Sequence, residues 1–364
     1  MSNATALYQV NLTQACQLMM ANRNRTTLVQ GHMGSGKSTL LKMLAKRLPK
    51  HIPVYFDGTT KDLGDMAIPS LQTIDEQGFV RFIPNEELGI HLGKPVILMF
   101  DEVGKMNPAV KNACLRIFQE REFGSYKLHP DSIVFGTTNI ASEGVGDLLP
   151  PHARNRMTVV RMRKSTNVEF IEDFAIPNGL DPALIAWCAD KPELFVSYED
   201  VKDPKDNVYI YHPLDKSRTS FVTNRSLHSA SDWLLVRDQF DDVALTAALI
   251  GTIGAPAAAE LATYVRTHDQ LPSIDEIKKD PHGARVPTSP IASAMVVYRT
   301  LSTIDRSWMD AWMDYSSRLH PELQMMFAQQ VKRPSYNKQS DVMTNGKFTA
   351  WCLANNFAFA ADKK

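Results

Sequence analysis

The stretch TTLVQGHMGSGKSTLLKMLAKRL, residues 26–48, decides the fold. It reads as a short β-branched strand, a loop with three glycines, and an amphipathic run in which Leu40, Leu41, Leu44 and Leu48 recur at helical spacing. The loop Gly31-His32-Met33-Gly34-Ser35-Gly36-Lys37-Ser38 fits G-x-x-x-x-G-K-[ST]. Glycines let the chain curl until successive N–H groups converge on an anion, and the helix that follows adds the positive end of its dipole. Lys37 supplies a mobile charge for β- and γ-phosphates, and Ser38 a hydroxyl for Mg2+. A glycine loop before a helix needs no ligand in itself; the flanking strand and helix favour the nucleotide reading. The phosphate-binding set is then Gly31, Gly34, Ser35, Gly36, Lys37, Ser38 and Thr39.

At 364 residues the chain is long enough for about two to three domains. Its 44% hydrophobic and 22% charged content describe a soluble globular protein. Lys plus Arg (40) equals Asp plus Glu (40), so no global field draws the chain to nucleic acid or to an acidic membrane. That leaves a local basic patch open. Cys16, Cys114, Cys188 and Cys352 are widely spaced with no CxxC pair, and read as reduced thiols rather than a disulfide frame or zinc site. The opening MSNATALYQVNLTQ lacks a basic segment followed by an apolar run, so no signal peptide is expected. No window approaches a membrane span, and a cytoplasmic location is the expectation.

Further along, HIPVYFDGT is an alternating strand, and residues 60–88 read as an irregular insertion with a hairpin. KPVILMFDEVGKMNP contains a continuous apolar strand of the kind buried on both faces of a parallel sheet, with Asn107 and Pro108 opening the next helix. REFGSYKLHPDSIVFGTTN adds a turn at Gly124 and another buried strand, and TVVRMR closes the run. Strands alternating with helices predict an open α/β sheet over residues 1–165. Beyond it, Asp181 and Pro182 open a helix, a polar stretch near 198–215 suggests a short hairpin, and helices are expected at about 225–239 and 242–268. DQLPSIDEIKKDPHGARVPTSP, with four prolines, reads as a connector, and the chain is helical again from 291. The expected domains are an α/β nucleotide-binding core (1–165), a mainly helical unit with a polar hairpin insertion (166–285) and a C-terminal helical region (286–364).

A bound triphosphate needs a metal partner and a group that orients water. VILMFDE supplies both at a strand end: Asp101 for Mg2+ and Glu102 for water. Asn139 follows another buried strand and emerges at the same edge. Arg154 and Arg156 stand between a proline-bounded turn and a strand, where a surface role is the default. Arg225 lies in the first turn of a helix, where a cation opposes the dipole and points to an anionic partner.

These pieces in this order resemble the AAA+ superfamily. The likeness is greatest to its MoxR branch of helix-2-insert ATPases, including the subgroup that activates carbon-fixation enzymes and cobalt chelatase. It covers roughly residues 10–280. GHMGSGKST resembles Walker A, VILMFDE Walker B, TTN ending at Asn139 sensor 1, ARNRM the arginine-finger segment, and TNRSL sensor 2, with Asn224 where a proline is usual. The resemblance implies a P-loop NTPase αβα sandwich with a parallel sheet, a helical lid and a C-terminal helical extension. It implies ATP and Mg2+ as ligands, and a homo-oligomeric ring, usually a hexamer, in which one subunit's arginine reaches its neighbour's γ-phosphate. Arg156 matches the finger position better than Arg154. A von Willebrand A partner and a protein client are implied by the branch; nucleic acid is not indicated, and no residue here names the client.

Three functions compete at this point. The first is an ATP-driven ring that remodels a protein. The second is a nucleic-acid-associated motor or restriction-type NTPase, against which the neutral charge weighs. The third is a P-loop kinase or nucleotide switch, against which Glu102 and the two late arginines weigh.

Overall fold

Each strand of the first unit sends successive side chains to opposite faces, and helices cover both faces. The computed structural model describes residues 9–74, 77–140, 143, 154–268 and 270–355. Its contacts divide the chain into two units, Met1–Lys164 and Ser165–Lys364. In chain order the first holds β1 (Gln9–Val10), α1 (Leu12–Ala21), β2 (Thr27–Gly31), α2 (Thr39–Arg47), β3 (Ile52–Asp57), β4 (Ala67–Ile74), β5 (Gln77–Pro84), β6 (Val96–Asp101), α3 (Pro108–Glu120), β7 (Glu122–Phe123), β8 (Tyr126–Lys127), β9 (Ile133–Asn139) and β10 (Thr158–Met162), besides shorter turns.

Six strands form one parallel sheet in the order β1-β10-β2-β9-β6-β3. Leu98, Phe100, Val134 and Leu28 pack with α3 residues Val110, Cys114, Ile117 and Phe118. Their chain neighbours Ile97, Met99, Ile133, Phe135 and Val29 pack with Ala15, Cys16 and Met19 of α1 and Leu40 and Leu44 of α2. The period of two along each strand therefore becomes two cores, one on each face. Asn107 caps α3, accepting the Ala109 N–H at 3.0 Å with Pro108 at the first helical position. The edge strand β1 is only two residues long, too short to carry a legible periodicity. The insertion does hold a hairpin, β4–β5, in which Leu71 and Ile68 are 78% and 70% exposed. Arg81 ties that hairpin down by lying 4.8 Å over the Tyr126 ring of β8.

The second unit is helical: α4 (Pro182–Asp190), α5 (Asn224–Leu235), α6 (Asp242–Ile253), α7 (Ala255–His268), α8 (Pro290–Thr303), α9 (Met309–Ser316), α10 (Pro321–Lys332) and α11 (Gly346–Ala354), with shorter helical turns between. Trp187 of α4, Leu227 of α5, Leu261 of α7, Val296 of α8, Trp312 of α9 and Phe327 of α10 share one core, so helices before and after residue 285 are packed together.

Three sequence readings change. The helix expected at 242–268 is two, because Gly254 takes φ +87° and Pro256 follows. The connector holds the helix Ile274–Lys279, started by a capping box between Ser273 and Glu276. The polar stretch before 220 is no hairpin among the described residues. It forms 3₁₀ turns, because Arg218 takes up the carbonyls of Pro204, Asn207 and Ile210 that a strand partner would need.

Burial pushes the thiols of Cys16 and Cys114 up to about 11 and about 12, and that of Cys188 further still, whereas Cys352 is only half-buried. Thiolate is the reactive form. A disulfide reagent at pH 8 is therefore expected to modify Cys352 first and the other three only on unfolding. Fast loss of all four thiols from the native protein would contradict this packing.

Candidate functional site

The loop after β2 turns on two glycines, Gly34 at φ +67° and Gly36 at φ +89°, a region that side-chain-bearing residues rarely adopt. α2 then begins at Thr39, with Thr39 N–H on Gly36 O at 2.9 Å. Lys37 is 7% exposed, and its ammonium donates to Gly31 O (3.0 Å), His32 O (2.8 Å) and Asn139 Oδ1 (2.6 Å). Ser38 is exposed, while the Ser35 hydroxyl is buried with no hydrogen-bond partner among the described residues.

Register explains why distant residues meet here. Gly31 pairs with Asn139, Phe100 with Gly136 and Asp57 with Asp101, so the phosphate loop, Asn139 and Asp101 all leave the carboxyl edge of the sheet. Asn139 bridges two groups: its Oδ1 accepts from Lys37, and its Nδ2 donates to both Glu102 oxygens at 3.2 and 3.3 Å. Glu102 also pairs with Lys105 at 3.0 Å. Its backbone is left-handed, φ +50° and ψ +40°, which costs about 1 kcal/mol or more and swings its carboxylate out of line with the strand.

Asp101 accepts the Thr137 hydroxyl and the Glu102 N–H (3.1 Å) on Oδ1, and the Tyr55 hydroxyl (3.0 Å) on Oδ2. Partial burial and the Asp101 charge push the Tyr55 phenol up to about 12. Carboxylate and hydroxyl oxygens are the donors a hard divalent cation takes, and Asp101 and Ser38 provide both. The orphaned Ser35 hydroxyl and the curled N–H groups fit an anion.

Sequence reasoning missed Tyr55, Thr137, Lys105 and a further carboxylate that packs against the loop. Glu143 has its Oε1 2.8 Å from His32 Nδ1 and its Oε2 on the Met33 N–H at 2.8 Å. Nearby Lys164 is pulled down to about 8 by burial, against the charge of Glu143.

Arg154 and Arg156 are not part of this cluster. They are exposed in the turn before β10, whose first residue Thr158 pairs with Thr27, at the opposite end of β2 from Gly31. The intervening strand spans about 13 Å. The prolines bounding that turn lie outside the described residues. Arg225 belongs to the second unit, exposed in the first turn of α5.

A loop of this sequence between a central parallel strand and a helix, with carboxylates at the same edge, defines the architecture. The fold is a P-loop NTPase fold. No protein-family model matches the chain, and no curated protein matches it. Among solved structures it is similar to the Thermotoga maritima RuvB Holliday junction branch migration motor, with 17% identity over 69% of this chain and 67% of that one and a TM-score of 0.34. A proline-to-glycine mutant of that protein gives 19% identity, 80% and 83% coverage, and a TM-score of 0.37. NtrX from Brucella abortus in complex with ATP gives 15% identity, 88% and 66% coverage, and a TM-score of 0.37. At such values the likeness carries no argument about activity.

The turn bearing Glu102 packs on β9 with no space to spare: a Cβ on Gly104 would stand 2.6 Å from Thr138 Oγ1. Lys111 holds the same turn by donating to Gly104 O at 3.1 Å. Gly104→Ala is expected to cost about 1–3 kcal/mol by overpacking and to lower the melting temperature by about 2–4 °C per kcal/mol. Thermal unfolding followed by circular dichroism checks this; an unchanged midpoint would mean that the turn has room.

Proposed function

We propose that the chain is an AAA+ ATP hydrolase. The observation that carries this reading is the chain of contacts Lys37–Asn139–Glu102 at one sheet edge, with Asp101 beside it. It joins a phosphate-binding cation, a polar amide and a carboxylate able to polarise water, as hydrolysis of a phosphoanhydride requires. Lys37, now satisfied by two loop carbonyls and Asn139, would exchange those acceptors for phosphate oxygens. Glu102 would take a proton from the water attacking the γ-phosphorus as the bond to the β-phosphate oxygen breaks and ADP leaves. Asn139 would hold Glu102 and that water in line. Ser38 and Asp101 would hold Mg2+, which supplies positive charge to the phosphate oxygens.

The finer assignment rests on the sequence motifs. We place the chain in the MoxR branch, as a homo-oligomeric ring, hexameric by resemblance, that remodels or activates a protein client, with a von Willebrand A partner. In this reading the helices after residue 165 include the lid, Arg225 is the sensor 2 arginine by resemblance, and the protein works in the cytoplasm. No helix of the described residues is long and apolar enough to cross a membrane. Turnover stimulated by DNA would favour the nucleic-acid motor instead.

Lys37→Ala is expected to abolish nucleotide affinity, because it removes the buried cation. Glu102→Gln should keep binding and stop turnover, because only its proton-accepting role is lost. Equal loss of ATP binding in both variants contradicts the assignment.

The opposite-edge position of Arg156 supports action on a neighbour's nucleotide rather than on its own. Arg156→Ala should spare binding and cut turnover by about a thousandfold or more, as arginine fingers supplied in trans do. Mixing Arg156→Ala with Glu102→Gln subunits should restore part of the activity. Failure to do so in rings shown to be mixed removes the trans role.

A further inference from the structure

Glu143 is a carboxylate buried against an anion-binding loop, which is electrostatically the wrong sign for that place. Its side chain is 1% exposed, and both oxygens are spent on the first two residues after β2. One faces the His32 ring nitrogen and the other accepts the Met33 N–H, each at 2.8 Å. A buried carboxylate costs free energy unless it is paired and hydrogen-bonded; here the loop supplies hydrogen-bond partners and nearby Lys164 an opposite charge. The Glu143 N–H in turn bonds Ile140 O at 3.1 Å, so the clamp is anchored directly behind Asn139 at the end of β9.

Two consequences follow from these contacts. The Met33 N–H is already taken, so the donors left to face an anion begin at Gly34. The His32 carbonyl, an acceptor of the Lys37 ammonium, belongs to a residue whose ring is fixed by Glu143. The entry to the loop is thus fastened from both sides of the backbone, by Lys37 from within and by Glu143 from the β9 exit.

We propose that Glu143 is a positioning residue that sets the entry of the phosphate loop, and through it nucleotide affinity. This deepens the nucleotide reading of the site and rests on it. Geometry, not charge, is the operative property: a neutral side chain of the same reach should serve, and a shorter carboxylate should not.

The test compares Glu143→Gln with Glu143→Asp in the full-length chain. A fluorescent ATP analogue reports affinity, steady-state turnover reports kcat and KM, and hydrogen exchange reports the Met33 amide. Glu143→Asp is expected to bind about tenfold more weakly, with kcat at saturation little changed and Met33 protection lost. Glu143→Gln, which keeps an acceptor at the Met33 N–H, should stay within about threefold of wild type and keep the protection. Wild-type affinity in Glu143→Asp overturns the proposal, and so does a Glu143→Gln as weak as Glu143→Asp, which would make charge the cause. A wild-type chain that binds no analogue overturns the nucleotide reading and the affinity role with it. Met33 protection lost in Glu143→Asp and kept in Glu143→Gln would still bear out the clamp in that case.

Discussion

A lysine ammonium shut away from water must be given acceptors, and those of Lys37 include two carbonyls of its own loop and the Asn139 amide. Without them a buried charge would stand uncompensated. Because one acceptor lies on β9, the loop is bound to the neighbouring strand as well as to its own. Asn139 passes the connection on to Glu102 at the end of β6. Three successive strands of the sheet, β2, β9 and β6, therefore share one polar chain across their carboxyl ends. The hydrophobic faces beneath fix the strands, and the parallel register fixes which residues face each other at the edge.

What the sequence made legible is what local chemistry encodes. The continuous apolar runs VILMF and IVF, the glycine spacing before Lys37 and the Asn107-Pro108 helix start each act within a few residues, and each has its expected structure. The capping box at Ser273 and Glu276 was equally local and was hidden by the surrounding prolines. The break at Gly254 was masked by an apolar pattern that runs through it. Contacts across the fold had no such signal. Glu143 meets His32 across 111 positions of the chain, and Tyr55 meets Asp101 across 46. Nothing in the neighbourhood of either acidic residue announces its partner, since the pairing depends on strand order and on side-chain reach. The motif at Arg154 and Arg156 could be read as a string of residues. Its place at the far edge of the sheet follows only once Thr158 is seen to pair with Thr27.

The sheet can also be viewed as a spacer. The strand that separates the phosphate loop from the arginine turn is a stiff, hydrogen-bonded rod about 13 Å long, more than an arginine side chain spans. Under the proposed function, such a chain carries every group for hydrolysis and yet lacks a complete set at any one place. Its output then depends on how often chains meet. Turnover per molecule would climb with the amount of protein present until assembly saturates, so that the abundance of the chain governs its own specific activity without any separate inhibitor.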